Sequence, residues 1–127
     1  MQENYLFEYA VIRIVPKVER EEFLNVGVIL YSVKPKFLEV LFEVKVDRLE
    51  AFCTELDVPL VEDNLMAFER ICNGGIGAGP IGKLDIASRF RWLTATRSTV
   101  VQTSKVHPGF CKDPKETLTR LYNQLVL

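Results

Sequence analysis

A chain of 127 residues, 48% hydrophobic and 26% charged, has room for one self-sufficient core, so one domain over residues 1–127 is expected. No apolar run approaches the ~20 residues of a membrane span, and the start MQENYLFEY has no basic region of the kind a secretory signal needs. The net charge of −1 conceals a split: residues 1–72 carry 8 Lys/Arg against 14 Asp/Glu, and residues 73–127 carry 8 against 3. Two readings of the split stand. Either an anionic ligand or partner meets the second half, or the halves neutralise each other within the fold.

Residues 6–15 (LFEYAVIRIV) are rich in β-branched and aromatic side chains and stop at Pro16, which predicts a strand. The charged KVEREE that follows reads as a turn or one helical turn. Residues 24–31 alternate, with Leu24, Val26, Val28 and Leu30 expected on one face and Asn25, Gly27, Ile29 and Tyr31 on the other. After the turn SVKPK, residues 37–44 (FLEVLFEV) alternate again, predicting an antiparallel hairpin with one wet face. Asn25 and Gly27 interrupt an otherwise apolar strand. They mark either a bulge or a place where Asn25 faces a site and Gly27 leaves room for a ligand.

The period then turns helical. Val46, Leu49, Phe52, Cys53 and Leu56 predict a helix over 47–56, and Leu65, Phe68, Ile71 and Cys72 a second over 61–72, ending at Asn73-Gly74. The GGIGAGPIG that follows suits no regular element. Ile86, Phe90 and Leu93 fit a short helix through Leu93, preferred over a strand in which Phe90 and Trp92 alternate with Arg89 and Arg91, and an extended segment is expected over 98–106. Asp113 as N-cap, Pro114 as first residue and Glu116 as capping acid open a last helix with Leu118, Leu121, Tyr122 and Leu125 as its core stripe.

Few motifs carry chemistry. GAGPIGKL (77–84) matches a phosphate-loop pattern, but Leu84 stands where the magnesium-binding hydroxyl belongs and a helix precedes it instead of a strand. His107 and Cys111 stand four apart, yet Cys53 and Cys72 lie on separate apolar stripes, so no metal and no cofactor is expected. Three widely spaced cysteines, an odd number, suit a reducing, cytoplasmic setting. The densest chemistry runs from Arg89 to Gly109. Arg89, Arg91 and Arg97 can grip carboxylates or phosphates, with Lys105 extending a shared positive surface. Ser98, Thr99, Gln102 and Ser104 add neutral donors and acceptors, and His107 adds an imidazole. The candidate ligand- or partner-binding residues are Arg89, Arg91, Arg97, Ser98, Gln102, Ser104, His107 and Asn25. No nucleophile with an assigned base stands out, so catalytic residues are not assigned.

Two blocks, YAVIRIVPKVEREEFLNVGVILY (9–31) and RFRWLTATRSTVVQTSKVHPGFCKDP (89–114), together resemble the bacterial family catalogued as domain of unknown function 3037. The resemblance implies a small cytoplasmic protein with no assigned catalytic residues, and an association with HipA-like kinases that makes another protein the expected partner. The fold expected is α+β, an antiparallel sheet of about four strands with three or four helices mostly packed on one face. The expected function is a non-enzymatic binding or regulatory module, the small partner of a HipA-like kinase. The alternative is an enzyme or binder acting on a phosphate-bearing ligand or nucleic acid through the Arg/Ser/Gln/His cluster. The acidic first half and pI near 5.9 weigh against dedicated nucleic-acid binding.

Overall fold

The computed structural model describes residues 4–97 and 99–127, and at Val18 the backbone alone. Strand β1 (Tyr5–Ile14) is the longest and lies at the middle of a five-stranded antiparallel sheet. On one side it pairs with β2 (Leu24–Ser32), which pairs in turn with β3 (Phe37–Phe42). On the other side two short strands meet it end to end: β4 (Val101–Thr103) opposite Ile12–Ile14, and β5 (His107–Cys111) opposite Tyr5–Tyr9. The expected four strands thus become five. The addition is β5, whose Pro108 and Gly109 disguise it as a loop and are tolerated because it lies at the sheet edge.

The register slips by one residue between β4 and β5, and Ser104 holds the joint. Its N–H donates to Val11 O at 2.8 Å, while its buried side chain accepts from Val11 N–H at 2.9 Å. A side-chain oxygen thereby replaces the carbonyl that the bulge removes from the ladder.

A second slip falls in β2. Ile12 faces Gly27 but Arg13 faces Asn25, so Val26 is the extra residue of a bulge. The bulge resets the alternation expected for this strand. Leu24, Val26, Ile29 and Tyr31 pack on one side of the sheet, while Val28 and Leu30 pack on the other. Gly27 is needed there: a Cβ would lie 2.6 Å from Leu41 O and 2.7 Å from Phe42 Cβ. The expected wet face is also corrected, because β2 is buried from Val26 through Ser32.

Helices cover both faces of the sheet. On one, α1 (Val46–Phe52), α2 (Val58–Asn73) and α3 (Ile86–Leu93) supply Leu49, Val61, Leu65, Phe68, Cys72, Phe90 and Leu93 to a core with Ala10, Ile12, Ile14 and Ile29. On the other, α4 (Pro114–Leu125) lays Leu118 and Leu121 against Phe7, Val28 and Leu30. Three of the four helices therefore share a face. Asp57, Asp85 and Asp113 cap α2, α3 and α4 with their carboxylates, as the sequence suggests for the last. The Ser88 amide, donating at 2.7 Å, holds the Asp85 carboxyl below its usual range. Between α2 and α3 the glycine-rich segment forms two 3-10 turns, Ile76–Ala78 and Ile81–Lys83, beginning where Gly74 takes φ 74°.

Candidate functional site

Where α2, the C-terminal end of α3 and β4 converge, a groove of about 210 Å³ remains open. Its apolar wall is Ala67, Phe68 and Ile71 from α2 with Leu93 from α3, and its polar side is Thr99, Gln102 and Thr103. At the rim the Arg97 guanidinium stacks on the Trp92 ring, 3.8 Å from its centroid, and donates from Nη2 to the Trp92 carbonyl. Burial draws the Arg97 pKa down from its ordinary value. Gln102 Nε2 donates to Thr99 O at 2.8 Å, and Thr99 Oγ1 donates to Val101 O at 2.7 Å. Thr103 Oγ1 reaches Thr94 O at 3.4 Å, tying β4 to the end of α3. Neutral donors and acceptors beside a single guanidinium on an apolar wall suit recognition of an anionic or amphipathic group.

Of the residues singled out in the sequence, the groove gathers Arg97 and Gln102. Arg89 turns instead to the glycine-rich segment, where Nη1 donates to Leu84 O at 2.7 Å and the guanidinium lies against Gly74. Arg91 pairs with Glu8 of β1 at 2.6 Å. The shared positive surface expected of Arg89, Arg91, Arg97 and Lys105 is therefore not assembled around this groove. On an α-helix, residues two apart point roughly 200° away from each other, so Arg89 and Arg91 cannot face the same way. Ser104 is buried in the β4–β5 joint, with its oxygen committed to Val11 and its hydrogen to Lys105 O. His107 lies on the sheet face opposite the groove, its ring 5.3 Å from that of Tyr9. Asn25 donates to Leu125 O at 3.1 Å, on the α4 side of the sheet. Ser98 lies outside the described residues.

The cysteines are placed apart, Cys72 in the core under α2 and α3, Cys111 in the core under α4, and Cys53 at the end of α1. Among the described residues no three His, Cys, Asp or Glu side chains come together as a metal site, and no helix is long and apolar enough to cross a membrane.

The fold and groove define an α+β protein, an antiparallel sheet helix-covered on both faces, with an open groove at one end of its edge. Residues 9–126 match the family model described as "Protein of unknown function (DUF3037)", and the chain belongs to that family. No curated protein and no solved structure matches it.

Proposed function

We propose that the chain is a non-enzymatic binding or regulatory module, that the α2–α3–β4 groove is its working surface, and that the occupant belongs to another protein. The observation that carries this reading is Arg97, held over the Trp92 ring at the mouth of an apolar groove. A guanidinium stacked on an aromatic ring is pre-oriented, so less side-chain entropy is lost when it engages an anionic group. The apolar wall supplies contact area beside it. A HipA-like kinase is the first partner to test, in a cytoplasmic setting consistent with three free cysteines. A phosphate-bearing ligand or nucleic acid has less support, because Arg89 and Arg91 have partners away from the groove.

The test is co-purification with a co-expressed HipA-like kinase, comparing the native chain with Ala67→Trp, which fills the groove from α2, and with Arg97→Ala. Both variants are first checked for native unfolding behaviour. Loss of the complex in both is the expected result. A complex that survives Ala67→Trp unchanged refutes the groove as the working surface.

A further inference from the structure

Strand β4 pairs with β1 on one side only. Its register decides which backbone groups are already used. Val15 N–H donates to Val100 O at 2.7 Å and Ser104 N–H to Val11 O at 2.8 Å, so Val100, Gln102 and Ser104 are the positions that bond β1. The peptide groups of Val101 and Thr103 point the other way, out of the sheet edge. The Val101 carbonyl is taken by Thr99 Oγ1. That leaves the N–H of Val101 and both groups of Thr103 without a backbone partner among the described residues. Unpaired edge groups of this kind are what an added strand uses.

Clefts flank this edge on both faces of the sheet. The groove described above lies on one; on the other a cleft of about 400 Å³ is lined by Arg13, Val15, Glu21, Phe23, Gln102 and Thr103. Gln102 and Thr103 border both. The two clefts also share a chemical device. Arg97 stacks on Trp92 at 3.8 Å, and Arg13 stacks on Phe23 at 3.9 Å. Among the described residues neither guanidinium has a carboxylate within ion-pairing distance. Arg13 Nε is moreover buried with no hydrogen-bond partner. Two pre-oriented cations therefore bracket one unpaired strand edge, one on each face.

We infer that β4 accepts an extended acidic segment of a partner protein as an additional strand, with one carboxylate reaching Arg97 and another reaching Arg13. This deepens the groove reading and rests on it. Neighbouring side chains of a strand point to opposite faces, so the two acidic residues must be an odd number of positions apart. A pair two apart would put both carboxylates on one face and leave one guanidinium unmet.

The probe is a fluorescein-labelled, end-blocked peptide of alternating Thr and Val with two adjacent Glu at its centre, read by fluorescence anisotropy at low salt. The isomer with its Glu two apart should bind roughly tenfold more weakly, and so should the adjacent-Glu peptide to Arg13→Ala or Arg97→Ala. Thr103→Pro removes an outward N–H while leaving the bonds to β1, and should weaken binding by a similar factor. Should that variant fail to fold, the peptide N-methylated at alternate residues tests the same backbone bonds against the native chain. Equal affinity for the two Glu isomers, or no effect of Arg13→Ala, overturns the inference. A kinase complex abolished by Ala67→Trp but indifferent to Thr103→Pro and Arg13→Ala also overturns it, while leaving the groove reading intact.

Discussion

Removing the Ser104 hydroxyl should destabilise the protein by roughly 1.5–4 kcal/mol, and the structure shows where that comes from. Ser104 Oγ is the acceptor for the buried Val11 N–H at 2.9 Å, and it donates to Lys105 O at 2.9 Å. Ser104→Ala leaves the amide in the middle of the sheet without a partner, which costs about 1–3 kcal/mol. Loss of the second bond adds about 0.5–1 kcal/mol, since the Lys105 carbonyl is only part-buried. The assay is urea unfolding followed by Trp92 fluorescence, where the midpoint should fall with little change in slope. Amide exchange supplies a local readout, because Val11 should lose protection out of proportion to its neighbours on β1. Thr119→Val is the control. Its exposed hydroxyl only reaches back to Lys115 O within α4, and its loss should stay within about 0.5 kcal/mol. If Ser104→Ala is equally mild and Val11 stays protected, the hydroxyl does not hold the joint, and Ser104 becomes available for a ligand as its sequence neighbourhood suggests.

The elements whose period survives folding were legible in the sequence. β1, the β2–β3 hairpin and α4 appear where alternation, Pro16 and the Asp113-Pro114 start place them. β5 was not, because HPGFC has the composition of a turn. What makes it a strand is tertiary: Gly109 sits under the Phe7 ring, where a Cβ would come within 2.5 Å of Phe7 Cζ. β1 is also long enough to pair two short strands in tandem, and no local pattern announces that. The facing of β2 failed for a different reason. Asn25 and Gly27 mark the bulge correctly, but a bulge inverts every later residue of the strand, so reading the alternation straight through assigns the wrong face.

The site was legible only in part, because its two sides come from distant segments. Arg97 and Gln102 stood out as chemistry-bearing residues, whereas Phe68 and Ile71 read as one more helical stripe until α3 packs beside α2 and leaves a gap. The Arg13–Phe23 stack had no linear signal at all. Its members lie ten residues apart across a turn, and only the β2 bulge and the chain path past Glu21, at φ 58°, bring the ring under the guanidinium. The charge split resolves similarly. Arg91–Glu8 and Lys115–Glu39 join the basic half to the acidic half, while Arg13 and Arg97 stay on aromatic rings. Neutralisation between the halves occurs at those two pairs, while Arg97 of the basic half has no carboxylate within ion-pairing distance among the described residues.

Three further perturbations bear on the fold. Asp113→Ala should cost about 1 kcal/mol in urea unfolding, since its carboxylate accepts from Lys115 N–H at 3.0 Å and Glu116 N–H at 3.3 Å; no change would mean that the cap is dispensable. Gly27→Ala should cost about 1–3 kcal/mol despite the better strand propensity of alanine, because its Cβ meets the β3 backbone; a neutral result would show that β3 can move aside. The last concerns Cys72, whose thiol burial pushes from the usual 9.0 up to about 12. Below pH 9 the thiol is protonated in folded and unfolded chains alike, and it contributes no slope. Between pH 9 and 12 the unfolded chain releases a proton that the folded chain keeps, so stability falls as pH rises, by at most about 1.4 kcal/mol per unit from this group. Other groups also change charge at high pH, so the informative quantity is a difference. The stability of the native chain should drop more steeply above pH 9 than that of Cys72→Ala, whose curve starts lower because of the cavity but runs flatter. Parallel curves would show that the thiol ionises as freely in the folded protein as in the unfolded one, and that the core under α2 and α3 admits water to Cys72.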